Sequence, residues 1–374
     1  MTSAPSRLVL EGVPRVHFYD GGSRCPEDLP FPSVMRALME YMGEEDFGCR
    51  AHRGLGPGCK IDCGYAFFIG VSGVASFLNW KPGWEAENAE IKYMSDDPAA
   101  PFDRAWRAAG YETRYLQGGR DQEAVIRQQI MASIQRGRPV LAFGPVGPPE
   151  SAIITGYDEG GDVLIGWSFF QVFPQCNAGL EFEPSGQFRK RDWYSYQPGF
   201  SCYIIGEKKR RPPLSETYRE ALAWMLQVAR TPSTFGGRRN GLAAYEAWAE
   251  QLQRDGEFSG DEAVLRQHHV VHHNTVGMVA EARWYGAQFL IQAGNHDILH
   301  YSMIEDLLHA AACYAAEHDL MWRLWDLVGG NGNPEAWRLF ADPDVRRRMV
   351  PIIQQAREKD AQAAEHIERA LARS

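Results

Sequence analysis

The sequence predicts an α+β protein in two parts: a sheet-containing domain over 1–207 and an all-helical domain over 214–374, joined at 208–213. Three observations carry this. Short β-rich runs punctuated by Gly and Pro fill the first half, and long patterns of helical period follow Pro213. Between them Lys208–Pro213 packs four basic residues and two prolines into a segment that suits neither helix nor strand.

The elements follow in order. Leu8–Tyr19 holds β-like runs broken by Gly12 and Pro14, and Gly21, Gly22 and Pro26 mark a loop. Val34–Met42 has helical spacing, with Ser33 as its expected cap and Gly43 as its stop. The apolar run Tyr65–Trp80 reads as a second buried helix, and Phe102–Ala109 as a short one stopped by Gly110. Tyr111–Leu116 alternates like a strand. Asp121 is placed to cap a helix with Ile126, Ile130 and Ile134 on its buried stripe, after which Gly137 and Pro139 lead into the strand Val140–Phe143. Ala152–Tyr157 and Val163–Trp167 flank an Asp/Glu/Gly turn and predict a hairpin; Ser201–Gly206 is the last strand. In the second half Ser215 is the expected cap of a helix burying Tyr218, Leu222, Met225 and Ala229. Leu242–Leu252 forms another, and Ser259 with Glu262 has capping-box spacing before the next. Met303–Leu327 and Asp344–Ala372 complete the set, the latter with Pro351 inside it.

Composition narrows the function classes. The 374 residues are 44% apolar and 23% charged, as in globular proteins, and the net charge of -9 argues against nucleic acid. The opening residues lack the pattern of a secretory signal, and no run is long enough to span a bilayer comfortably, so a cytoplasmic protein is expected. The seven cysteines are then expected as free thiols.

Ordered motifs add a resemblance. Val34–Gly43 is followed by the small-residue segment Phe68-Ile69-Gly70-Val71-Ser72-Gly73 with Trp80. Next come Arg136-Gly137-Arg138-Pro139-Val140 and Ile153-Ile154-Thr155-Gly156-Tyr157-Asp158. This order is similar to the N-terminal domain of the butirosin-biosynthesis acyltransferase family, and to the related bacteriocin-processing cysteine peptidases. The resemblance implies a papain-like fold for the first domain and thiol chemistry at a Cys-His-Asp triad. The triad positions differ here. Aligned on Gly43, Pro30 stands at the nucleophile's place, with Cys25 upstream and Ser33 downstream; Glu150 stands where the family has His, and Trp167 where it has Asp or Asn.

The candidate site is therefore Cys25, Ser33 and Glu150 as catalytic groups, with Trp167 against the substrate. A neighbouring Arg24 and a following helix N-terminus both favour a thiolate at Cys25. A buried Glu150 would supply a base, and His17 and His52 are the imidazoles of this half. Cys63, in Asp62-Cys63-Gly64, is the alternative nucleophile. Cys49, His52, Cys59 and Cys63 have soft-ligand spacing, C-x2-H-x6-C-x3-C, that fits no standard zinc finger well. His268–His273 presents two pairs at i, i+4, and His296 with His300 a third if helical, with Glu281 and Glu305 as possible co-ligands. Arg283, Trp322 and Trp325 are read either as facing a cleft or as ordinary packing. No metal or cofactor is expected. The expected function is a divergent thiol-dependent hydrolase or acyltransferase acting on an amide, ester or thioester. The alternative is a catalytically silent papain-like module that binds a peptide or small molecule.

Overall fold

The computed structural model describes residues 5–20, 26–44, 47, 63–86, 90–195, 199–294 and 298–373. Its strands and α-helices run β1 (Leu8–Val9), α1 (Pro30–Tyr41), α2 (Cys63–Ser72), β2 (Asn79–Trp80), α3 (Ala100–Ala109), β3 (Tyr111–Gly118), α4 (Glu123–Gln135), β4 (Val140–Phe143), β5 (Ser151–Asp158) and β6 (Val163–Ser168). There follow β7 (Glu181–Phe182), β8 (Phe188–Arg191), β9 (Phe200–Lys208), α5 (Leu214–Arg230), β10 (Ser233–Thr234), β11 (Arg238–Asn240), α6 (Leu242–Leu252), α7 (Glu262–Ala293), α8 (Ile304–Leu327), α9 (Ala336–Ala341) and α10 (Pro343–Ala372). The protein is α+β, with an antiparallel sheet and a C-terminal region of long helices. No helix among the described residues is long and apolar enough to cross a membrane.

The described residues form two compact units. The first takes those up to 47 together with 63–68 and 106–212; the second takes 69–105 and 213–373. In the first, the sheet order is β3-β9-β4-β5-β6-β8-β7, and β1 pairs with β5 at Leu8↔Tyr157. The expected hairpin is present as β5 and β6, and its turn places Glu159 and Gly160 at positive φ. Ile126, Ile130 and Ile134 of α4 pack on Val140, Ala142, Ile154, Leu164, Cys202 and Ile204, which closes one face of the sheet. Alternation puts Leu141, Ile153 and Trp167 on the other face, and α1 packs on β5. Burial on both faces explains why β5 is buried up to Tyr157 and carries apolar residues such as Ile153 and Ile154 on both sides rather than alternating. The basic stretch after β9 is anchored on this unit. The Lys209 N–H donates to Gly110 O at 2.7 Å, and Arg211 reaches Glu44 Oε2 at 2.6 Å.

In the second unit α8 packs on both α7 and α10, α5 and α6 lie against α10, α9 lies against α7 and α10, and β10, β11 and β2 make a small antiparallel sheet. Residues 69–105 belong here because this unit satisfies their polar groups. Trp224 Nε1 donates to Ser72 O at 2.9 Å, Trp80 Nε1 to Gln251 Oε1 at 2.7 Å, and Thr234 Oγ1 to Tyr93 O at 2.8 Å.

Several boundaries differ from those expected. α1 begins at Pro30 with Leu29 as N-cap, so Ser33 lies within the helix. Prolines at 30 and 32 are tolerated there because first-turn N–H groups have no intrahelical acceptor. α2 stops at Ser72, where Gly73 turns the chain with φ 89°, and a 3-10 turn and β2 replace the rest of the expected helix. Gln122, Pro213 and Asp261 occupy the N-cap positions expected of Asp121, Ser215 and Ser259. At α7 the Asp261 carboxylate accepts from the Val264 N–H at 3.0 Å.

Candidate functional site

Pairing of Ala152 with Ser168 and Ile153 with Trp167 sets the start of β5 beside the end of β6. The segment before α1 runs past this corner. Phe18 packs edge-on against Phe169 and Phe170, with ring centroids 5.0 and 5.4 Å away. Arg15 lies over the Trp167 ring at 5.6 Å, and the Tyr19 N–H donates to Asp28 Oδ1 at 2.6 Å just before the helix. His17 Nε2 stands 3.4 Å from Asp20 Oδ2. Ser151 shares the Trp167 face, and its hydroxyl is buried with no hydrogen-bond partner among the described residues.

The expected site residues fare differently at this corner. Trp167 is buried, at 8% exposure, beneath Arg15. Glu150 stands at the head of β5, half-buried, with its N–H donating to Pro148 O at 2.7 Å. Ser33 is 2% exposed inside α1, which removes it as an accessible nucleophile. Cys25 lies outside the described residues, as do Cys49, His52 and Cys59. Cys63 is disulfide-bonded, which corrects the free-thiol expectation for that residue and withdraws it both as alternative nucleophile and as zinc thiolate. Cys176, Cys202 and Cys313 are free, and burial pushes each thiol above its ordinary pKa, as suits packing rather than reaction. Nothing in the sequence pattern singles out Arg15, Ser151 or the proximity of His17 to Asp20.

The second unit holds two polar constellations. Arg283 is fully buried inside this unit. Its guanidinium meets Glu317 Oε2 at 3.1 Å, Asp360 Oδ2 at 2.9 Å, the Tyr245 hydroxyl at 2.9 Å and Ala75 O at 2.7 Å. Glu317 also bonds Tyr245. Burial, reinforced by the facing Asp360 and opposed by Arg283, pushes the Glu317 carboxyl up to about 8, and burial raises Asp360 too. One cation facing two carboxyls in this way holds a proton at neutral pH.

The histidine run is a packing feature. Trp248 Nε1 donates to His272 Nδ1, and Trp325 Nε1 to His273 Nδ1, each at 3.2 Å. His268 stacks on Trp84 at 4.9 Å, and His272 on Phe340 at 4.6 Å. Burial lowers all four pKa values, His269 to about 4, so they pack as neutral rings. His300 caps a 3-10 turn rather than sitting in a helix, and His296 is outside the described residues. Metal-type ligands do converge at a place the sequence reading did not name, Asp306, His309 and His366. Trp322 is exposed and donates to His318 Nε2 at 2.9 Å, whereas Trp325 is buried. No protein-family model matches the chain, and no curated protein matches it.

Proposed function

We propose that the first unit is a papain-like module that binds a small molecule or peptide bearing a carboxylate, without cleaving it. The observation that carries this reading is Arg15. Its guanidinium is exposed, lies over Trp167, and has no ion-pair partner among the described residues. It offers a carboxylate a planar bidentate donor whose position is held by stacking on Trp167. The residues at the triad places of the peptidases that the sequence resembles favour binding over chemistry, since Pro30 opens α1, Glu150 stands just before β5 and Trp167 lies near the end of β6. The test is titration with short peptides, each with a free or an amidated C-terminus. The free acids should bind, and Arg15→Ala should weaken them about tenfold or more, the scale of a charge-assisted hydrogen bond. Equal affinity for acid and amide would reject the reading.

A second reading, thiol-dependent acyl transfer or hydrolysis, is favoured by the His17–Asp20 pair, because a carboxylate orienting an imidazole is the base half of a thiol triad. It needs Cys25 as nucleophile. Mass spectrometry after brief iodoacetamide treatment decides it. Selective labelling of Cys25 that is lost in His17→Ala supports the enzyme; slow labelling unchanged by His17→Ala supports the binder.

A further inference from the structure

We propose that Asp306, His309 and His366 form a binding site for a divalent transition-metal ion of the zinc class, clamping α8 to α10. Asp306 and His309 lie one turn apart on α8, and His366 faces them from α10. One ligand atom from each falls within 4.8 Å of the others. The two imidazole rings are 4.9 Å apart, and His309 makes no hydrogen bond among the described residues, which leaves its nitrogens available. Asp306 is 4% exposed, and its buried Oδ2 meets the Arg373 guanidinium outside hydrogen-bond geometry. Two imidazoles and a carboxylate are a familiar zinc ligand set, with a further position for water. Ligands converging from facing helices are how bundles build such sites.

Two arginines already neutralise Asp306. Arg369 Nε lies 3.2 Å from Oδ1, and Arg373 Nη1 lies 3.1 Å from Oδ2. Both side chains are nearly half exposed near the end of α10, so releasing them to water costs little. The present arrangement is also internally unsatisfied. His366 Nδ1 lies 3.0 Å from Asp306 Oδ1 and 2.7 Å from Arg369 Nη2. A single nitrogen either donates to the carboxylate or accepts from the guanidinium, so one of these contacts goes unfulfilled. A cation between imidazole and carboxylate uses both lone pairs at once, and Arg369 then becomes an outer group rather than a ligand's partner.

The test is zinc binding by calorimetry to the full chain, comparing wild type with His309→Ala and His366→Ala. Other histidines and cysteines can also take up zinc, so the readout is the difference between the chains. Wild type should bind one more equivalent than either variant, and zinc should raise its melting temperature, an effect both variants lose. Co2+ in place of zinc should give a visible absorption band that also disappears in the variants. Equal stoichiometry in all three chains overturns the proposal, as does a wild type that binds no zinc. Because His309 is exposed and makes no hydrogen bond among the described residues, its variant should keep the helical circular dichroism of the parent, so a lost equivalent reports the site and not the fold.

Discussion

Arg283 is held by groups from α6, α8 and α10 and by a backbone carbonyl after α2, so a single guanidinium ties four parts of the second unit together. Burying a cation is costly unless every donor is met and its counter-charges are fixed, and here Glu317 and Asp360 are both fully buried. The partners are not equivalent. Replacing Arg283 by Met strands two carboxyls in the interior, and denaturant unfolding should show a loss of about 3–5 kcal/mol. Glu317→Gln is a milder change, because the carboxyl is largely protonated at neutral pH and the amide keeps its shape and one acceptor. Its loss at pH 7 should stay near 1 kcal/mol. Losses of equal size would mean that Glu317 is ionised and serves as Arg283's main counter-ion. Little in the sequence announces this cluster. Arg283 stands in a largely apolar stretch between Met278 and Leu290, which hints at burial, but Glu317 and Asp360 are acids among other acids on their helices.

At the scale of elements, small residues decide where helices approach. Gly70 of α2 lies under Phe289 of α7, and a β-carbon there would stand 2.2 Å from the ring. Gly277 of α7 is open by comparison, its nearest neighbour being Trp325 Cζ2 at 3.5 Å. Gly70→Ala should therefore cost about 1–3 kcal/mol through overpacking. Gly277→Ala should gain about 0.5–1 kcal/mol, because alanine loses less backbone entropy on folding into the same helix. Thermal unfolding of the two variants checks the pair, and a gain at both positions would contradict the packing described. The sequence revealed elements whose periodicity reflects burial: the Ile126, Ile130 and Ile134 stripe of α4, and the β-rich strands β4, β5 and β6. It was blind where local geometry overrides pattern. Pro30 starts α1 because the first turn needs no donor there, and Gly73 ends α2 inside a run apolar enough to suggest that it continues. The corner with Arg15 was half legible. Its Trp167 followed from motif order, but the stacking of Arg15 depends on the path of a loop that no periodicity describes.

For the whole molecule, these buried groups set the pH dependence of stability. His268, His269, His272 and His273 have folded pKa values below the unfolded value of about 6.5. Below that pH the unfolded chain binds more protons than the folded one, so stability falls as the solution is acidified toward about pH 4. Glu317 and Asp360 act in the opposite sense. Their folded pKa values are raised, so the stability they contribute is complete below the unfolded carboxylate range and is lost as pH rises, through about 8 for Glu317. Between roughly pH 4.5 and 6.5 four histidines outweigh two carboxyls, and stability rises with pH. Above about pH 6.5 the histidine contribution levels off, complete about one pH unit higher, and the carboxyls prevail, so stability should decline toward pH 8, by at most about 1.4 kcal/mol per pH unit for each proton. Urea unfolding of the full chain, followed by tryptophan fluorescence, should thus give a maximum near pH 6.5 in a buffer series of constant ionic strength. Glu317→Gln should flatten the alkaline limb and leave the acid limb in place, since the histidine run is untouched. A wild-type curve that is level or rising from pH 6.5 to 8 would show that the Arg283 cluster carries no proton there, and the protonated Glu317 would have to be given up.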